Sequence, residues 1–181
     1  MRICCASALT DASASSVINY DKTTPRSATP ISRVPSARVV ISTVYALCVL
    51  VPLAYLTLVV ILGLDPNGPD TARQEMIAIG LVGTTALVSG VLPGLYLAKS
   101  DSASRVGAIV YGVLSLLTIV FFWSGAPGIL GAVAAWLGGL IRGRAPVQGA
   151  PRVLAIIGLC IAILNCAANV AWSVVGAFVE H

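Results

Sequence analysis

Asn165, Asn169 and Ser173 recur every fourth residue inside the otherwise apolar stretch Val153–Val179. On a helix this spacing places two amides and a hydroxyl on one face. An amide surrounded by hydrocarbon must find a hydrogen-bond partner, so that face has to turn toward other helices. Two uses follow. The first is structural, an interhelical glue whose candidate partners are Thr84, Thr85 and Ser89, or Ser115 and Thr118. The second is functional, a polar lining for a small solute or ion. Glue is the expected use.

Other residues with chemical potential lack the company they need. The single histidine, His181, is the last residue, which leaves Ser–His or Cys–His nucleophilic catalysis without a base. Cys4 and Cys5 are adjacent and lack metal-knuckle or redox-pair spacing. Cys48, Cys160 and Cys166 sit in apolar runs, where a free thiol behaves as a small hydrophobe. Asp65-Pro66-Asn67-Gly68-Pro69-Asp70 lacks the alternating ligands and distal glutamate of a calcium loop. No catalytic, cofactor-binding or metal site is assigned, and the chain is expected not to be an enzyme. The basic residues are not interleaved with aromatics, so nucleic acid is not an expected partner.

These polar residues are embedded in unusually apolar elements. The 181-residue chain is 57% hydrophobic and 10% charged, against about 25% charged in soluble domains. Val39–Leu64, Met76–Ala98, Val106–Ile141 and Val153–Val179 contain no Asp, Glu, Lys, Arg or His. A bilayer core of about 30 Å is crossed by about 20 apolar residues, so the fold class is an all-α, polytopic transmembrane bundle with membrane lipid as its surroundings. The Val106–Ile141 run is too long for one crossing, and Ser124-Gly125-Ala126-Pro127-Gly128 in its middle predicts a tight hairpin. Five spans result, at about 39–64, 74–98, 105–123, 127–142 and 153–178. Pro52 predicts a kink in the first, and Thr71-Ala72-Arg73-Gln74 predicts a helix start near residue 71. Phe121, Phe122 and Trp123, just before the hairpin turn, are expected at the membrane–water interface. Carboxylates inside the membrane would have pointed to proton coupling, and the uncharged runs contain none.

Charge orients the five spans. With the N-terminus inside, segments 1–38, 99–105 and 142–152 hold ten of the eleven basic residues; Arg73 alone falls outside, with Asp65, Asp70, Glu75 and Glu180. That satisfies the positive-inside rule at each loop and sets the N-terminus in the cytoplasm and the C-terminus outside. A multi-pass protein of a bacterial inner (plasma) membrane is the expected localisation. Residues 1–38, rich in Ser, Thr, Ala and Pro, read as a disordered basic cytoplasmic tail ahead of the transmembrane domain, 39–181.

Small residues recur every four positions on three spans. They are Ala86, Gly90, Gly94 and Ala98; Gly131, Ala135, Gly139 and Gly143; and Gly158, Ala162 and Cys166. Such stripes let backbones approach closely in lipid, within a chain or between chains. The stretch from Arg105 to about Trp172 carries Arg105-Val-Gly-Ala-Ile-Val-Tyr-Gly112, Pro127-Gly128-Ile-Leu-Gly131, Gly139-Leu-Ile-Arg-Gly-Arg144 and Arg152-Val-Leu-Ala-Ile-Ile-Gly158. It resembles small bacterial integral membrane proteins filed as domains of unknown function. The resemblance implies an integral membrane bundle and transfers no functional residue. The expected role is a structural or accessory component that packs with itself or with other membrane proteins. The alternative is a channel or transporter component for a small solute, using the Asn165/Asn169/Ser173 face.

Overall fold

A computed structural model describes residues 35–64, 69–141 and 147–179 of the chain. The tail expected over 1–38 falls almost entirely outside the described residues, as do Asp65, Arg142, Gly143, Arg144, Glu180 and His181. Residues Arg33–His181 form one compact unit. Among the described residues this unit is helical, without strands.

Helix α1 (Ala37–Tyr45) opens on Ser36, whose hydroxyl accepts from the Val39 amide. It runs through a π turn, Ala46–Leu50, into α2 (Val51–Leu62), so the three form one rod. The π turn lies where Pro52 disturbs the ladder. Proline has no N–H to give the Cys48 carbonyl four residues earlier, and the bonding widens there, with the Val51 amide reaching Ala46. Helix α3 (Pro69–Leu97) begins two residues before the expected start, on a proline, which suits the first helical turn. Its interior Pro93 deprives the Ser89 carbonyl of a donor in the same way, and the Tyr111 hydroxyl of the next helix donates to that carbonyl at 2.8 Å.

Helix α4 (Asp101–Leu117) tightens into a 3₁₀ segment, Thr118–Ser124, which breaks at Phe121 (φ −101°, ψ 36°). Gly125, at φ 73°, then reverses the chain in a conformation that favours glycine. Helix α5 (Ala126–Leu137) returns, and α6 (Ala150–Val179) completes the bundle. Among the described residues, four helical stretches are long and apolar enough to cross a membrane: Ala37–Leu62, Asp70–Leu97, Asp101–Ser124 and Ala150–Phe178. The span expected over 127–142 is realised differently. Its helix has 12 residues, about 18 Å at 1.5 Å per residue, well short of the bilayer core.

The reason is its position. Helix α5 packs against α6, α4, α3 and α1, and each of its residues except Trp136 is buried. A helix apolar all round and covered all round is a core, with no face left for lipid. Its turn meets the longer helices near their midpoints. A side chain at Gly125 would meet the Cys48 carbonyl at 2.9 Å, one at Gly83 would meet the Ser124 carbonyl at 3.3 Å, and one at Gly128 would meet Asn165 Oδ1 at 2.7 Å. Cys48, Gly83 and Asn165 lie near the centres of Ala37–Leu62, Asp70–Leu97 and Ala150–Phe178 respectively. The α4–α5 turn therefore lies level with the midpoints of its neighbours, even though Asp101–Ser124 has the length of a span. Phe121, Phe122 and Trp123, expected at an interface, belong to this apex.

Candidate functional site

The polar face of α6 is used at the hairpin apex. Phe122 precedes the turn, so its carbonyl no longer continues a regular helical ladder; it takes the Gly125 amide at 3.3 Å. Asn165 Nδ2 also donates to it at 2.6 Å, and Asn169 Nδ2 at 3.2 Å. The second Asn169 bond goes to the Asn165 carbonyl at 2.9 Å, and Ser173 Oγ donates to the Asn169 carbonyl at 2.9 Å. All three side chains are buried. The face thus joins α6 to a main-chain oxygen, and four of the side chains expected to partner it are engaged elsewhere. Thr84 pairs with Tyr45, Ser115 donates to the Pro127 carbonyl, and Ser89 and Thr118 bond within their own helices.

Among the described residues, one buried side-chain polar atom has no hydrogen-bond partner: Asn165 Oδ1, set against Gly128. Cys48 and Cys166 lie beside it with their sulfurs 3.3 Å apart. Among the described residues no group of His, Cys, Asp or Glu is placed to hold a metal ion.

The small-residue stripes are consumed within the chain. Gly90 faces Val133 and Leu130 of α5, Gly94 faces the Trp136 ring, and Gly131 lies against the Gly158 backbone so closely that a methyl group would overlap its carbonyl. Ala135 is fully buried. Gly139 departs from the expected stripe. It follows the end of α5 at φ 72°, where its amide bonds the Trp136 carbonyl and the next amide bonds Ala135. That is a left-handed helix cap rather than a packing face.

Beyond the apex the helices leave a half-open cleft. Helices α3 and α6 are held apart by the hairpin, each packing on α5, and where the hairpin ends the gap between them stays open. The resulting cavity is about 480 Å³. Pro52, Tyr55 and Leu56 of α2 form one wall, and Ala78 and Ile79 of α3 another. Ala168, Asn169 and Trp172 line it from α6, Phe122 and Trp123 from the 3₁₀ segment, and exposed Gln74 and Glu75 from the first turns of α3. Asn169 thus belongs both to the glue and to the cavity, whereas Asn165 and Ser173 do not line it.

Sequence reasoning missed this cavity because its walls are ordinary apolar residues from four segments. One signal was present. The turn at 124–128 is free of charge, whereas the connections at 65–70, 99–105 and 142–152 all carry it; a turn without charge need not reach water. Comparison with family models, with curated proteins and with solved structures gives no match.

Proposed function

We propose that this chain is a non-enzymatic binding component of the plasma membrane that holds a small, largely apolar molecule in the cavity above the α4–α5 hairpin. Its N-terminus is cytoplasmic and its C-terminus outside. The rod α1–α2, α3 and α6 cross the bilayer, and the hairpin enters from the cytoplasmic side and returns to it. This threading keeps the expected order of five apolar segments and the expected side for each charged loop, with two of the segments reaching only to mid-membrane.

The observation that carries the reading is the stop of the hairpin at the midpoints of its neighbours, which leaves a concave, mainly apolar site of ligand size. The channel form of the solute reading has less support, because the α6 polar face that would line a path is bonded to Phe122 at the level where such a path must pass. The accessory reading has less support as well, since small-residue faces that could have served other chains are filled by this one.

The test is saturable binding in lipid nanodiscs. The neutral probe N-phenyl-1-naphthylamine should quench Trp123 and Trp172 emission with a single saturating phase beyond its partition into empty discs. Ala78→Phe, which fills the cavity, should weaken that phase by roughly tenfold, about 1.4 kcal/mol, with helicity unchanged. Linear, non-saturating quenching equal to lipid partition would end this proposal.

A further inference from the structure

We propose that the molecule held in this cavity is an organic cation with an apolar body; this rests on the cavity being a binding site and adds the charge of what it binds. Among the described residues, Glu75 is the one charged side chain that lines it, and no lysine, arginine or histidine does so. The nearby Arg73 is paired with Asp70 at 4.0 Å and is not part of the lining. An anion entering here would meet a carboxylate and no countercharge.

The neutral groups favour the same sign. Both amide hydrogens of Asn169 are committed, one to the Phe122 carbonyl and one to that of Asn165. What this side chain can offer a ligand is therefore Oδ1, an acceptor. Tyr55, Phe122, Trp123 and Trp172 bring four aromatic rings to the lining, and the negative quadrupole of a ring face attracts cations. The apolar remainder, Pro52, Leu56, Ala78 and Ile79, suits a hydrocarbon or aryl body. Glu75, near the start of α3, sets the cationic end toward the aqueous side, with the body directed at the hairpin apex.

Tetraphenylphosphonium and tetraphenylborate test this directly, because they share a shape and differ in sign. In nanodiscs, after subtraction of partition into empty discs, the phosphonium should bind saturably and displace N-phenyl-1-naphthylamine, and the borate should not. Glu75→Gln should weaken phosphonium binding about three- to fivefold, as loss of one exposed charge partner implies. The phosphonium should lose more affinity than the neutral probe, whose change reports any effect on the cavity's shape. Displacement by both ions alike, no displacement by the phosphonium, or an unchanged phosphonium affinity in Glu75→Gln would overturn the cationic assignment while the neutral probe still reports a working cavity. Absence of saturable binding by the neutral probe and the phosphonium together would overturn the cavity reading and this one with it.

Discussion

Pro52 and Pro93 each withhold the amide hydrogen that the carbonyl four residues earlier needs, and in lipid that carbonyl cannot turn to water. For Pro93 the chain answers from another segment, where the Tyr111 hydroxyl donates to the Ser89 carbonyl, and at Pro52 the Cys48 carbonyl lies where a side chain on Gly125 would meet it. A third main-chain oxygen, that of Phe122, is met by two asparagines. If Tyr111 is there for the oxygen that Pro93 exposes, the two positions must be coupled. Tyr111→Phe should cost about 1 kcal/mol, within the range for buried polar contacts in membrane proteins. In a Pro93→Ala background, where the substituted residue supplies the missing amide, the same change should cost less by at least about 0.5 kcal/mol. Denaturation of the four proteins in mixed micelles measures the cycle, and strict additivity would show that the tyrosine serves something else. Sequence reasoning saw that Asn165 and Asn169 must find partners. It looked among Thr and Ser side chains, because a carbonyl exposed by a bend has no letter in the sequence.

Helix by helix, the small residues were easier to read than the lengths. Gly90, Gly94, Gly131 and Ala135 pack as their four-residue spacing suggests, whereas Gly139 is diverted into a cap because α5 ends at Leu137. Hydropathy reports how a residue is solvated and cannot distinguish lipid from a protein interior, so a short apolar run such as α5 reads as a span although its residues are buried by the other helices. The α4–α5 hairpin is clamped at its apex by the asparagines and along its length by backbone contact, and the second clamp leaves less room to relax. Gly131→Ala drives a methyl group into the Gly158 carbonyl and should cost more than about 2 kcal/mol. Asn169→Leu, which removes two bonds around the apex, should cost about 1 kcal/mol. Gly80→Ala has open space at its Cβ position and gains helix propensity, so it should be neutral or slightly stabilising. Thermal unfolding in detergent ranks the three, and a Gly131→Ala protein as stable as Gly80→Ala would contradict the packing described for α5.

For the molecule as a whole, charge and depth carry different information. The basic residues flank the ends of the apolar segments and therefore suggest which side each connection faces; they are silent on how far a hairpin penetrates before it turns. A hairpin that crosses fully and one that stops halfway satisfy the same positive-inside count, because both return their ends to the cytoplasm. Labelling depth separates them. With the native cysteines replaced by alanine, Gln74→Cys should react with a membrane-impermeant maleimide added outside, and Gln148→Cys only after permeabilisation. Phe121→Cys decides between the two hairpins, since Phe121 is exposed on the bundle yet sits beside the apex. At an outer interface its thiol would label at a rate near that of Gln74→Cys. At mid-membrane it faces hydrocarbon, the thiolate does not form there, and labelling from either side should be slower by at least about two orders of magnitude, consistent with the cost of a charged group in the bilayer centre. Fast external labelling at Phe121 would raise the apex to the surface. It would then close the space in which the cavity is proposed to hold its ligand.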